Sequence, residues 1–242
     1  MNEKTFTPEE ELQRAQRARR MITWLMIFAI VMFFAGLTSA YVVSMSGGYW
    51  TRITLPHAFF WSTGFVLAGS VTLHLALLTV RHGRPRSAAP LLLATLALGV
   101  AFGASQWAGW EELVSRGVTW SPNKLEGLSG TYGKDFTVTK DGEPLVPVDG
   151  HWYSAKDTGH ERKLDAEIAE QRQRTGPYLY TLTVAHTAHL AVGLLAIAIM
   201  LAMALKGRYT PEDHVGLWAG AAYWHFLGGL WVYLLLFLLF VH

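Results

Sequence analysis

Four histidines and one glutamine lie inside long apolar stretches of this 242-residue sequence, away from their ends, where polar side chains are costly. They are His74, Gln106, His186, His189 and His225. Imidazole is a ligand for haem iron, copper and zinc, and His186 and His189 share one helix face because they lie three residues apart. A haem between two imidazoles could be assembled from His186 and His225 on facing helices. These residue types therefore raise a bound redox metal as one hypothesis.

Carboxylates are missing from the same stretches, and their absence weakens the metal hypothesis. Metal sites in helix bundles usually include Asp or Glu ligands, and intramembrane proton pathways use the same side chains. The sequence therefore favours imidazoles that hydrogen-bond to neighbouring helices, lipid head groups or water, with a haem or metal site as the alternative. It also indicates that the chain does not itself conduct protons across a bilayer.

The composition excludes several other kinds of chemistry. The chain has no cysteine, which excludes iron–sulfur clusters, thiolate zinc sites, cysteine nucleophiles and a thiolate-bridged copper pair. Its formal net charge of +2 gives no reason to expect a nucleic-acid partner. Charged residues make up 16% of the chain, against about 25% in soluble domains, whereas hydrophobic residues reach 51%.

Five stretches contain no Asp, Glu, Lys or Arg and exceed the roughly 20 residues that cross a bilayer. Because backbone groups inside lipid must hydrogen-bond within their own segment, each stretch predicts a helix. The predicted fold is therefore an all-α membrane protein with five transmembrane helices, which cover Met21–Met45, Leu55–Val80, Ser87–Trp110, Thr175–Leu205 and Val215–His242.

Basic residues predict how the chain is oriented. Arginines cluster before the first stretch, and Lys or Arg also lie in the connections after the second and fourth stretches. The positive-inside rule therefore places the N-terminus in the cytoplasm and the C-terminus in the periplasm. The expected organisation is a cytoplasmic segment 1–20, helices in 21–110, a periplasmic insert 111–174 and helices in 175–242.

The insert 111–174 is far more polar than the rest of the chain, with twelve acidic and nine basic residues. Alternating residues on both sides of Asp141-Gly142, from Phe136 to Val148, predict a β-hairpin. The composition of Ala155–Arg174 predicts a helix. About 64 residues bury little core alone, so we expect the insert to pack against a neighbouring subunit or the membrane part.

Two further patterns concern the helices themselves. Gly99 with Gly103, and Gly216 with Gly220, are small-xxx-small pairs that let helix backbones approach closely, with chance in glycine-rich helices as the alternative. Thr210 followed by Pro211 predicts the N-cap and first position of the last helix.

Several motifs resemble subunit III of the haem–copper cytochrome c oxidases. Residues 180–190 with Gly193 are similar to the family's Thr-Gly-x-His-x-x-His-x-x-x-Gly helix. Residues 223–226 with Trp231 are similar to its Tyr-Trp-His-Phe-x-x-x-x-Trp signature. The linker 207–214, the run 31–41 and Gln106 also fit, and all these pieces occur in the family's order. The count of five helices is similar to a short bacterial form, whereas mitochondrial members have seven.

Three positions depart from the family pattern. Ile30, Trp218 and the run 227–229 stand where many members carry carboxylates. Roles that the family gives to those carboxylates therefore cannot be transferred to this chain.

The resemblance implies a non-redox accessory subunit of a bacterial aerobic terminal oxidase, located in the inner membrane. Such a subunit stabilises subunit I, binds lipid and supports proton uptake, while cytochrome c oxidation, oxygen reduction and proton translocation belong to the complex. No cofactor is expected on this chain: haem and copper are expected on partner subunits, subunits I and II are the expected partners, and bound phospholipid is expected. By this resemblance, the lipid or subunit-interface residues are His74, Gln106, His186, His189, Trp224 and His225.

Two alternative functions stay open at this point. The chain could serve a quinol oxidase or a nitric oxide reductase, because donor and acceptor sites would lie on other subunits. It could instead be a stand-alone transporter or a haem or metal membrane protein that uses the intramembrane histidines. We also hypothesise that the insert 111–174 contacts a periplasmic cytochrome or a neighbouring respiratory complex.

Overall fold

A computed structural model describes residues 7–121, 124, 127–172 and 174–241. The first six residues of the predicted N-terminal segment, five positions of the predicted insert (122, 123, 125, 126 and 173) and the final residue of the last stretch lie outside the described residues.

Five helices are long and apolar enough to cross a membrane, and they confirm the predicted all-α membrane fold with five spans. They are α1 (Pro8–Met45), α2 (His57–Arg81), α3 (Ala88–Ser115), α5 (Thr175–Leu205) and α6 (Val215–Phe240). The other elements are a 3₁₀ turn at Pro85–Ser87, the short helix α4 (Asp165–Glu170) and four strands. The strands are β1 (Tyr49–Ile53), β2 (Phe136–Lys140), β3 (Glu143–Val148) and β4 (His151–Ser154).

The first and last helices begin at positions that differ from the apolar boundaries. Helix α1 begins before its apolar stretch, because Thr7 and Glu10 cap each other's backbone N–H groups at 2.9 and 3.4 Å. The predicted start of the last helix at Thr210 and Pro211 is wrong, since α6 begins at Val215. The Thr210 hydroxyl does accept from the Asp213 N–H at 3.0 Å, but that turn closes on itself and ends before the helix.

The described chain divides into two compact units. The first comprises residues up to Phe33, Thr63–Phe102 and Ala188–Trp231. The second comprises Phe34–Ser62, Gly103–Thr187 and the residues from Val232 onward. The four strands and α4 belong to the second unit.

The first unit is organised around the buried indole of Trp224 on α6. Glycines of three other helices stand against this ring: a Cβ on Gly69 would lie 3.3 Å from it, one on Gly99 2.7 Å and one on Gly193 3.6 Å. Larger residues at these positions would push the helices apart, so the glycines set how closely α2, α3 and α5 approach α6. Nearby, Trp231 donates from Nε1 to Thr63 Oγ1 at 3.0 Å.

The four glycines of the two small-xxx-small pairs have different surroundings. A Cβ on Gly99 would lie 2.4 Å from Leu194 Cδ2, and one on Gly220 would lie 2.5 Å from the Met200 sulfur. A Cβ on Gly103 or Gly216 would meet no atom of the described residues within 4 Å. Within this chain, one glycine of each pair therefore permits a close helix approach.

An antiparallel four-stranded sheet in the order β1-β2-β3-β4 forms the polar part of the second unit. Strands β2 and β3 occupy the predicted hairpin, and Asp141 and Gly142 both have positive φ (49° and 83°), as a two-residue hairpin turn requires. A second Asp-Gly pair, Asp149-Gly150, makes the same turn between β3 and β4 (φ 49° and 80°). This second hairpin was not predicted, although its Asp-Gly turn signal is identical.

Strand β1 comes from the connection between the first two spans and pairs with β2, with Tyr49 opposite Lys140 and Ile53 opposite Phe136. Nothing local predicted this strand, because its partner lies more than 80 residues away in sequence. The pairing ties the insert to the ends of α1 and α2. Thr175 at the start of α5 adds a further tie, since its Oγ1 donates to the Thr51 carbonyl at 2.7 Å.

The helix predicted over Ala155–Arg174 is wrong in its extent, because among the described residues of this segment only Asp165–Glu170 is helical. The Asp157 carboxylate accepts from the backbone N–H groups of Glu161 and Arg162, at 3.2 and 2.9 Å, and holds this segment in a turn. Leu164 and Ile168 still pack together, and they form the small core of the insert with Val138 and Leu145.

Glu167 on α4 connects three parts of the insert through hydrogen bonds. It accepts from Lys140 Nζ at 2.5 Å, from the Tyr49 hydroxyl at 2.8 Å and from Arg162 at 2.8 Å. These donors, Lys140 first, lower the pKa of Glu167 from its ordinary 4.5 to about 2. The backbone N–H of Trp152 likewise lowers the pKa of Asp165.

We predict that acid loosens the insert. Because the folded state lowers the pKa of Glu167, its contribution is complete above pH 4.5 and is lost as the pH falls towards 2. Amide hydrogen exchange of residues 136–170 in the full chain, corrected for intrinsic rates, is expected to show protection falling across this range. In Glu167→Gln the protection should be lower at neutral pH and should change less with acid; equal acid sensitivity in the variant would contradict this role.

A matched pair of glycine substitutions tests the packing around Trp224. Gly99→Ala places a methyl group against Leu194 and Trp224, and such overpacking costs about 1–3 kcal/mol. Gly103→Ala, on the same helix, enters open space, so it has the same gain in helix propensity without the overpacking and is expected not to destabilise the protein. Thermal unfolding of both variants in one detergent measures the difference, and equal melting temperatures would argue against this packing.

Candidate functional site

Two of the predicted polar residues meet across neighbouring helices of the first unit. The rings of His74 on α2 and His225 on α6 lie 5.9 Å apart between centroids, tilted by 54°. His74 is exposed and His225 is half-buried. The imidazole pair is therefore open to a lipid or to another protein at the surface of the helices.

The two histidines of α5 have different environments. His186 is completely buried, in the second unit, whereas His189 is half-buried, in the first. The ring of His189 lies 6.1 Å from that of Phe33, and its backbone carbonyl accepts from the Tyr223 hydroxyl at 3.0 Å. His225, the suggested haem partner of His186, belongs to the first unit.

Gln106 is the other buried polar residue that the sequence singled out. Its Nε2 donates to Ser62 Oγ at 2.9 Å, and that hydroxyl in turn donates to the Phe59 carbonyl at 2.7 Å. Its Oε1 has no hydrogen-bond partner among the described residues. This chain of bonds joins α3 to α2 within the second unit.

Hydroxyl groups also form hydrogen bonds between helices, and these were not predicted from the sequence. Thr72 and Thr95 share a hydrogen bond of 2.8 Å between α2 and α3 in the first unit. In the second unit, Trp110 donates to Thr183 at 3.1 Å. Hydroxyls inside apolar stretches were the available signal, because such groups commonly hydrogen-bond across membrane helices.

These groups can position helices and bind neutral or weakly polar surfaces. In the part of the chain that the structure describes, no three His, Asp or Glu side chains form a group that could hold a metal ion. The candidate groups are therefore one imidazole pair, two further imidazoles, several hydroxyls and one amide, and they are distributed over both units.

Most of the helix surface in the spans remains uncovered. Half of the most apolar 18-residue window of α6 is buried, but only 28% to 33% of the corresponding windows of the other spans. Large side chains such as Trp24, Trp61 and Trp107 are more than half exposed. Such an apolar surface needs lipid or partner helices to cover it.

The end of the chain is similar to known proteins. The model of the family described as cytochrome c oxidase subunit III matches residues 166–242. A cytochrome c oxidase subunit 3 of Chondrus crispus is 34% identical over 59 residues, which is 24% of this chain and 22% of that relative. The matched segment thus spans about a fifth of the curated relative.

The family match covers the segment that holds α5, α6 and the three histidines His186, His189 and His225. It confirms the resemblance predicted from the two helix motifs. Residues 166–242 are thus similar to the cytochrome c oxidase subunit III family.

Proposed function

We propose that this protein is a non-redox accessory subunit of a haem–copper terminal oxidase in a bacterial inner membrane. The observation that carries the proposal is the family match over residues 166–242, which contains both motif-bearing helices. The chain lacks cysteine, and the five apolar stretches of its spans lack carboxylates, so it cannot supply a thiolate copper site or a carboxylate relay inside those stretches. Haem and copper would then belong to partner subunits.

In this proposal the complex oxidises cytochrome c, reduces oxygen and translocates protons. This chain packs against the catalytic subunit I and also lies next to subunit II. It supports proton uptake indirectly, by holding the helices and lipids of subunit I in place. The curated relative's name, a subunit 3 of cytochrome c oxidase, supports this choice of complex.

The uncovered helix surfaces support a scaffolding role. His74 is exposed beside His225, so this pair is a candidate contact with subunit I. The exposed tryptophans suit lipid or a partner helix, because an indole presents both an apolar ring and an N–H donor. The sheet of the second unit is a candidate surface for a periplasmic cytochrome or a neighbouring respiratory complex.

Purification of the tagged full chain in mild detergent tests the proposal. We expect co-purified subunits that carry haem and copper, with oxygen consumption driven by reduced cytochrome c. Activity with quinol alone would assign the chain to a quinol oxidase, and reduction of nitric oxide would assign it to a nitric oxide reductase. Isolation of the chain alone with its own haem or metal would contradict the accessory role.

A buried and an exposed histidine provide a matched test of the scaffold. His186→Leu removes polar contacts at similar volume and is expected to lower stability by about 0.6 kcal/mol, the average for hydrogen bonds between membrane helices. His74→Leu should leave the stability of the isolated chain unchanged but weaken its association with the complex. Turnover per haem in assembled complexes should be normal for both variants; complete loss of turnover in either one would indicate a catalytic role.

A further inference from the structure

A cavity of about 300 Å³ lies in the second unit, where β1 leads into α2 and beside the last turn of α6. We propose that this cavity binds the phosphate of an anionic phospholipid, whose acyl chains lie along the end of α6. The residues that carry the proposal are Arg52, Leu55, Lys134, Thr137, Leu238 and Leu239.

Two cations face the cavity from separate segments. Arg52 on β1 stands opposite Thr137 on β2 in the sheet register, so these two side chains share one face. Lys134 lies in the turn before β2, and both cationic side chains are exposed. Among the described residues neither of them forms an ion pair. A guanidinium with an ammonium nearby is a donor set that suits a phosphate.

Hydrogen bonds hold the two cationic segments together. Thr54 donates from Oγ1 to the Lys134 carbonyl at 2.6 Å and from its backbone N–H to the Asp135 carbonyl at 2.9 Å. The Asp135 carboxylate accepts from the Thr131 N–H at 2.8 Å and is not part of the cavity lining. The backbone that carries Lys134 is therefore fixed beside the strand that carries Arg52 before any ligand arrives.

The opposite wall of the cavity is apolar and belongs to a membrane span. Leu238 is buried, while Leu239 is 47% exposed and the adjoining Phe240 is 75% exposed at the end of α6. Ile53 and Leu55 are buried below the cations. Cations at the end of an apolar span lie at the depth of lipid head groups, and this wall favours an amphiphile over free phosphate. The volume suits a head group and not a whole lipid.

This lipid site deepens the lipid-binding part of the proposed function. It depends on that proposal for one point alone, which is that the chain is embedded in a membrane. Oxidase membership and this site can therefore fail separately. If the chain purifies without haem-bearing partners but still binds anionic lipid through Arg52 and Lys134, the oxidase assignment fails and the site stands.

The test uses the complex purified through the full chain, stripped of loosely bound lipid and titrated under native mass spectrometry. The probes are phosphatidylglycerol, phosphatidylcholine and inorganic phosphate. Arg52→Gln/Lys134→Gln is expected to weaken phosphatidylglycerol binding by more than about tenfold, since each surface cation contributes about fivefold. The control Lys124→Gln/Arg172→Gln removes the same charge from exposed insert positions outside the cavity and should change binding by less than about twofold.

Two further variants separate the possible results. Arg52→Lys keeps the charge and should retain most of the binding, which shows that loss in the double variant is not loss of fold. Leu239→Asn should weaken phosphatidylglycerol binding without affecting inorganic phosphate. Equal losses in the cavity and control variants, equal affinity for phosphatidylcholine, or phosphate binding as tight as lipid binding would each overturn the proposal.

Discussion

Close contact between helix backbones is the constraint on which the membrane part of this protein depends. Lipid is as apolar as leucine, so burial alone gives helices no reason to associate, and the fit of one surface to another decides. Here the fit is provided by Trp224, whose ring fills the space left by Gly69, Gly99 and Gly193 on three helices. A tryptophan, the largest side chain, thus packs against glycines, which have no side chain. Hydrogen bonds such as the one from Trp231 to Thr63 also link the helices.

The sheet of the second unit is held in place mainly by its links to the spans and less by a core of its own. This sheet covers a core as small as Val138, Leu145, Leu164 and Ile168, which is too little to support an independent domain. The sheet is instead joined to the spans by β1, which begins four residues after α1 ends, and by the hydrogen bond from Thr175 to Thr51. A polar insert that is tied at several helix ends is well suited to present a fixed surface outside the bilayer.

The proposed scaffold role and the proposed lipid site both depend on these two features, the packing of the spans and the sheet that is joined to the helix ends. Spans with so many unburied residues need lipid or partner helices to cover them, as the proposed scaffold role supposes. Where the sheet meets the end of α6, cations and apolar side chains come together at one place. A scaffold subunit that also holds an anionic lipid there would stabilise the edge of its complex through both components.

The sequence alone determined the five spans, the hairpin around Asp141-Gly142 and the resemblance of residues 166–242 to oxidase subunit III, because apolar run length, turn chemistry and helix motifs are local signals. It also singled out Gln106 and the histidines, since polar groups are rare in lipid. Only the tertiary structure decided that His74 meets His225, that Gly99 packs closely whereas Gly103 does not, and that β1 pairs with β2. Each of these depends on which face of one element meets another distant in sequence, and residue spacing within a single segment carries no information about that choice.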